Sequence, residues 1–181
     1  HSDIFLQSLK RLEETHPGKS LQLIFPTLPH LVETLKAKAE DFKFKNDPVF
    51  VTNQAEKKAI FKGLDMAVAV SGTVGLELAL SGVPHIIGYK LNKLSYQIIK
   101  RLVRIDHAHL ANIMLGNEVV PEYLQDECNS DNLYKGLERL LMQPDVAAKQ
   151  KEGFERLIHI LQTPKAPSQG SAEFILNLAS T

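Results

Sequence analysis

The sequence predicts an α/β domain, a parallel sheet with helices packed on both faces. Three observations carry this. Short apolar runs of strand length alternate with stretches of helical period, the pattern of βαβ units. The run "DMAVAV" at 65–70 shows no polar alternation, as expected of a strand covered on both faces. The 181 residues are 44% hydrophobic and 23% charged, which suits one globular domain with a sizeable core and excludes a disordered chain.

Each element has its own signal. Ile4, Phe5, Leu9 and Leu12 recur at helical spacing, and His16-Pro17-Gly18 ends that helix. Residues 21–25 form an apolar run of strand length. Helical period returns over 29–42, with Leu31, Leu35 and Ala39 on one side. Residues 48–51 read as a strand, 55–64 as a helix ending near Gly63, and 65–70 as the next strand. A helix over 73–80 stops at Ser81-Gly82, and 84–89 is again a strand. Residues 93–104 read as a helix, followed by a short extended piece around 108–110. From Asp131 onward the pattern is helical, broken at Pro144 and again over 163–170. The pattern opens on a helix, so a strand and its loop are expected upstream. Crossovers in such a sheet are right-handed. Ligands bind beyond the carboxyl ends of the strands, and residues 71–75 lie at such an end.

Composition narrows the partners. The 21 Lys and Arg balance the 21 Asp and Glu, which argues against nucleic acid, whose binding domains are usually basic. A single cysteine, Cys128, cannot form an internal disulfide and is expected to be an inert thiol in a reduced, cytoplasmic setting. No apolar run approaches the roughly 20 residues of a membrane span, and no signal peptide is expected. The first residue is His1 rather than Met, which suggests a piece of a longer chain.

The stretch "SGTVGLELALSGVPHIIGYK", residues 71–90, holds the most specific chemistry. A helix N-terminus offers unpaired N–H groups and a partial positive charge. Gly72 and Gly75 would let a ligand approach the backbone, and Ser71 and Thr73 add hydroxyls. Together they suit an anion, a diphosphate in particular. Glu77 would repel phosphate, and it lies four residues after Thr73, so it does not complete a capping box from Thr73. A carboxylate one turn into the helix could instead accept both hydroxyls of a ribose whose phosphates sit at the helix mouth. The alternative is a plain loop and cap followed by an exposed Glu; spacing alone leaves both open.

Several segments in order then carry a resemblance. "SGTVGLELALSGVP", "GYK" and "KRLVRIDHAHLANIMLGNEVVPEYLQDEC" closely resemble the C-terminal half of the lipid-A-disaccharide synthase family, and "SQGSAEFILNLA" resembles its closing helix. The resemblance implies a Rossmann-like three-layer domain, equivalent to the C-terminal domain of a glycosyltransferase B enzyme. It implies inverting transfer of 2,3-diacylglucosamine from UDP-2,3-diacylglucosamine to 2,3-diacylglucosamine 1-phosphate, without metal or cofactor. It implies that residues 1–162 bind the nucleotide sugar and 163–181 form a helical tail. The acceptor domain and the expected catalytic base would lie in an N-terminal domain outside this chain, so the chain alone is expected to be inactive. Ser71, Gly72 and Thr73 would face the diphosphate and Glu77 the ribose. Where the family has Leu-Pro-Asn-Leu-Leu-Ala-Gly, this chain has "LANIMLG", keeping Asn112 and Gly116. Another glycosyltransferase or sugar epimerase of this fold, or a non-catalytic nucleotide-sugar module, are the alternatives.

Other residues are read beside that frame. Asn112 is expected either at the donor's phosphate or sugar or in a loop-stabilising turn. Glu122 and Gln125 are expected to read sugar hydroxyls, or else to mark a short helix beginning at Pro121. His107 and His109 would point one way on a strand, but two imidazoles do not make a metal site. Lys90, Lys93, Lys100, Arg101 and Arg104 share one side of a helical wheel opposite Leu91, Leu94, Ile98, Leu102 and Ile105. Such a face is either solvated or set against an anionic membrane surface. The second option, with Lys93, Lys100, Arg101 and Arg104 facing the bilayer, predicts a peripheral inner-membrane protein.

Overall fold

The computed structural model describes residues 1–91 and 107–162. The chain opens on α1 (Ser2–Thr15), followed by β1 (Ile24–Pro26). A 3-10 turn (Pro29–Leu31) runs into α2 (Val32–Glu40), then β2 (Val49–Val51), α3 (Gln54–Phe61) and β3 (Ala67–Ala69). α4 (Thr73–Leu80) and β4 (His85–Tyr89) follow. Beyond residue 106 come α5 (Leu110–Leu115), β5 (Glu122–Leu124), a second 3-10 turn (Gln125–Glu127), α6 (Ser130–Met142) and α7 (Pro144–Leu161).

Among the described residues all strand pairs are parallel, in two sheets: β1–β2, and β3–β4–β5 with β4 in the middle. Side chains of successive strand residues leave opposite faces, and β4 shows the consequence. Ile86 joins Leu12, Leu133 and Leu137 on the side of α1 and α6. Ile87 joins Phe61, Leu78, Val120 and Phe154 on the side of α3, α4 and α7. Both isoleucines are fully buried, as the unalternating sequence predicts for a strand between two helical layers. Each such side chain contributes roughly 1.5–3 kcal/mol by burial.

The helices begin where the sequence supplies caps. The Asn53 side chain accepts from the N–H groups of Ala55 and Glu56 at the start of α3, and Asn129 does the same for Asn132 in α6. Pro144 occupies the first turn of α7, where its missing N–H costs nothing.

Two expectations are corrected. The extended piece around 108–110 is instead a bend leading into α5, so His107 and His109 are not alternate residues of one strand. Pro121 does not open a helix: Glu122–Leu124 is the third strand of the larger sheet, registered on Ile87–Tyr89. The basic helix predicted over 93–104, with Lys93, Lys100, Arg101 and Arg104, and the tail at 163–181 lie outside the described residues. Among the described residues no helix is long and apolar enough to cross a membrane.

Candidate functional site

The loop from β3 to α4 opens at the carboxyl edge of the larger sheet. Gly72 is the N-cap residue of α4 with φ 146° and ψ −164°, a conformation that only glycine adopts without strain. Among the described residues no side chain caps α4, so the first-turn N–H groups and the positive end of the helix dipole face outward at this mouth. Thr73, the first helical residue, is exposed, and Ser71 is partly buried. The Ser71 Oγ donates to the Ala108 carbonyl at 2.8 Å, which ties this mouth to the loop before α5.

Gly75 has a different role from the one its sequence suggests. It is buried, and a Cβ there would lie 2.5 Å from His109 Nε2 and 3.2 Å from Ile87 Cδ1. Its smallness admits the His109 ring, not a ligand. Glu77, one turn into α4, is 46% exposed, and its Oε2 pairs with Lys57 Nζ of α3 at 2.6 Å. Lys57 also lies over the Phe61 ring at 5.4 Å, so its position is fixed from two sides.

Glu122, Asn112 and His109 form a brace beneath the mouth. The Glu122 carboxylate is only 6% exposed. Its Oε2 accepts from the N–H groups of Ala108 (2.7 Å) and His109 (3.1 Å), and its Oε1 accepts from Asn112 Nδ2 (2.8 Å). Asn112 is fully buried. Its Nδ2 also donates to the Val120 carbonyl, while its Oδ1 accepts from the N–H groups of Val119 and Val120. Two donors and two lone pairs are all an amide has, so Asn112 has nothing left for a ligand and stabilises the loop. Gly116 ends α5 in the left-handed region (φ 69°) as its C-cap. Gln125 (φ 54°) turns its amide onto the Leu91 backbone, where with its oxygen toward the Leu91 N–H (3.1 Å) its nitrogen would donate to the Leu91 carbonyl (3.2 Å). Of the eight predicted residues, Ser71, Gly72, Thr73 and Glu77 gather at the mouth, while Asn112, Gly116, Glu122 and Gln125 build the support.

A buried histidine pair completes the support and is not legible in sequence. His109 caps α5, its Nδ1 accepting from the Ala111 N–H at 3.2 Å, so its proton is on Nε2. That Nε2 lies 3.2 Å from Nε2 of His85, which accepts because the His85 Nδ1–H donates to the Val83 carbonyl at 2.8 Å. Burial pushes the pKa of His85 down to about 3. Burial also lowers that of His109, against the opposing charge of Glu122. Both imidazoles are neutral and occupied, and no group of three or more metal-binding side chains occurs among the described residues. Burial likewise raises the Cys128 thiol, in line with an inert role.

The brace predicts a stability effect. Glu122→Ala strands two backbone donors and one amide hydrogen, and hydrogen bonds to charged groups are worth roughly 1.5–3 kcal/mol each. Relaxation and water entry recover part of that, so the expected loss is about 2–4 kcal/mol. Glu122→Gln keeps an acceptor for Ala108 and His109 but turns an amide toward Asn112 Nδ2, and is expected to lose less. Urea midpoints at unchanged slope measure both; an Ala variant within about 0.5 kcal/mol of wild type, the size of an ordinary surface change, would contradict the brace.

The parallel strands, helices on both faces and a carboxyl-edge loop opening an uncapped helix define a Rossmann-like three-layer α/β domain. A family model described as lipid-A-disaccharide synthetase matches residues 1–175, and the chain belongs to that family. A lipid-A-disaccharide synthase from Bradyrhizobium diazoefficiens is 37% identical over 177 residues, covering 97% of this chain and 44% of its own length. One from Rhodopseudomonas palustris (strain HaA2) is 38% identical over 176 residues, with 97% and 44% covered. One from Geobacter sulfurreducens is 36% identical over 155 residues, covering 83% of this chain and 38% of the relative. The chain thus spans less than half the length of these relatives.

Proposed function

We propose that this chain is the donor-binding part of a lipid-A-disaccharide synthase, a glycosyltransferase that joins 2,3-diacylglucosamine from its UDP derivative to 2,3-diacylglucosamine 1-phosphate and releases UDP. The observation that carries this is the uncapped N-terminus of α4 at Gly72, with the Glu77 carboxylate one turn in. Diphosphate oxygens would accept from the first-turn N–H groups, with Thr73 adding its hydroxyl. The ribose hydroxyls would donate to Glu77. Lys57 supports this reading by offsetting the charge that would otherwise repel the diphosphate.

The reaction would replace the bond between the anomeric carbon and the diphosphate oxygen with one to the acceptor hydroxyl, inverting the anomeric centre. Negative charge grows on the leaving diphosphate as that bond breaks. Fixed N–H dipoles aimed at those oxygens stabilise the transition state more than the ground state. This chain's share is to hold the donor and receive that charge; the acceptor and the base that takes its proton belong to residues outside the chain. The Glu122–Asn112–His109 brace serves the same end indirectly, by fixing the Ala108 carbonyl that orients Ser71. The basic run Lys93, Lys100, Arg101 and Arg104 would hold the protein at the anionic inner leaflet, from which a diacylated substrate is drawn.

Calorimetry of UDP against the full chain, with and without EDTA, tests the binding role. We expect UDP to bind equally in both and ADP to bind more weakly. Loss of binding in EDTA, or equal affinity for ADP and UDP, would overturn it.

A further inference from the structure

His107 stands where the brace meets the mouth of α4. Its Nδ1 lies 3.6 Å from Glu122 Oε1, and its side chain is 23% exposed against 6% for Glu122. One residue on, the Ala108 N–H donates to Glu122 Oε2 at 2.7 Å, and the Ala108 carbonyl accepts from Ser71 Oγ at 2.8 Å. Ser71 directly precedes Gly72, the N-cap of α4. The imidazole is therefore carried at the rim of the mouth by a loop that is pinned from two sides.

Glu122 decides what this ring can do. Its oxygens already accept from the N–H groups of Ala108 and His109 and from Asn112 Nδ2. Among the described residues, His107 alone can bring a full positive charge within ion-pair distance of it. A carboxylate only accepts, so the ring nitrogen that faces it, Nδ1, carries the hydrogen. Nε2, on the far side of the ring, is then an acceptor in the neutral imidazole and a donor only in the imidazolium. His109 differs on each point. It is buried, its Nδ1 accepts from Ala111, and burial keeps it neutral. The other charged and titratable groups around the loop come from four elements. The turn before β5 supplies Glu118, whose Oε1 accepts from the Glu122 N–H at 3.4 Å. β4 supplies His85, kept neutral by burial. α4 carries Glu77, matched by Lys57 of α3.

We propose that His107, as the imidazolium, donates from Nε2 to a diphosphate oxygen of the nucleotide sugar and carries positive charge to the departing UDP, a role that rests on the donor site proposed at α4. A diphosphate esterified at both ends only accepts, so it can use Nε2 only while the ring is charged. The N–H groups of α4 bring fixed partial charge to the diphosphate, and His107 adds a full one through a charge-assisted bond. When the bond from the anomeric carbon to the diphosphate oxygen breaks, its electron pair stays on that oxygen. A cation beside it then gains more in the transition state than in the ground state. The proton stays on His107 throughout. Glu122 orients the ring and balances its charge before the donor arrives.

UDP-N-acetylglucosamine is the probe, because its diphosphate neither gains nor loses a proton across the range in which imidazoles change charge. Calorimetry on the full chain is expected to show binding about three- to tenfold tighter near pH 5.5 than near pH 8. His107→Gln is expected to flatten that dependence and to bind about tenfold more weakly near pH 5.5. Uridine, which lacks the diphosphate, is expected to bind both proteins alike. A second measurement needs no variant. In wild type, saturating nucleotide sugar should raise the pH midpoint of the His107 ring signals in NMR and uridine should not, because the preference of ligand for charged ring is reciprocal. An unchanged pH dependence in His107→Gln, or a ring midpoint that the nucleotide sugar does not move, would overturn the role of His107 while leaving the α4 site in place. Tighter binding at high pH that His107→Gln abolishes would make Nε2 an acceptor from a sugar hydroxyl, and would overturn the diphosphate contact. A wild-type chain that binds neither UDP nor the nucleotide sugar at any pH removes the donor site itself, and the role of His107 with it.

Discussion

Lowering the pH from 7 to 4.5 is expected to cost the fold roughly 2–3 kcal/mol through His85 alone, since each tenfold difference in proton affinity between the folded and unfolded chain is worth about 1.4 kcal/mol. Burial holds the pKa of His85 at about 3, against 6.5 for an unperturbed imidazole. A histidine whose folded pKa is depressed takes up its proton in the unfolded chain first. Its stabilising contribution is therefore complete above pH 6.5 and is lost steadily as pH falls toward 3. His109 is depressed for the same reason and adds to the slope. The Glu13 carboxylate enters lower down. Burial raises Glu13, but the Lys10 ion pair and the Lys45 N–H outweigh it, so its pKa falls below 4.5 and its contribution is lost only beneath that value. The interval from 6.5 to 4.5 thus separates His85 and His109 from Glu13. Urea unfolding across it should show falling midpoints, and His85→Asn should flatten the fall. Asparagine keeps a donor for the Val83 carbonyl but takes up no proton. It will be less stable at pH 7, because the His109 Nε2–H loses its acceptor, yet its stability should vary less with pH. An unchanged slope in His85→Asn would assign the acid limb to other groups.

The same pair shows where sequence reading stops. The helix at 73–80 is legible to the residue because Ser-Gly-Thr ahead of an apolar run and Ser-Gly behind it are local signals. The strand at 84–89 is legible because a strand buried on both faces is apolar throughout. β5 and α5 are not, and both are short. Glu122–Leu124 is as short as β2 and β3 but opens on a carboxylate instead of running apolar throughout, and six residues, Leu110–Leu115, show barely one turn and a half. Histidine as an N-cap is outside the usual Ser, Thr, Asp and Asn set. The roles of polar residues divide in the same way. Ser71, Gly72 and Thr73 owe their places to local geometry and can be placed from the sequence. Asn112, Glu122 and Gln125 owe theirs to backbone groups of other segments, so residue type announces a polar function but not its partner. Gly75 is the clearest case. Its neighbour His109 is 34 positions away, and nothing near Gly75 in sequence shows that the space above it is filled.

Glu77→Ala is expected to weaken UDP binding by about ten- to a thousandfold. Two ribose hydroxyls donating to one carboxylate would be worth roughly 1.5–3 kcal/mol each, part of which water returns, and every 1.4 kcal/mol is about tenfold in affinity. The fold should survive, because alanine is a good helix former and Glu77 is half exposed. Glu77→Gln keeps the shape and one acceptor but not the charge, and is expected to fall between. Lys57 makes the test sharper. Its ammonium occupies one carboxylate oxygen at 2.6 Å, leaving the other for ligand. If it orients the carboxylate and offsets its repulsion of the diphosphate, Lys57→Met weakens UDP severalfold. If instead the ion pair is only a surface contact between α3 and α4, Lys57→Met leaves UDP unchanged and Glu77→Ala does no harm, or improves binding by removing a negative charge near the phosphates. Comparing UDP with 2′,3′-dideoxy-UDP separates ribose recognition from simple charge. Wild type should discriminate between the two and Glu77→Ala should not. Equal binding of both nucleotides by wild type would take the ribose away from Glu77 and leave α4 as a diphosphate site alone.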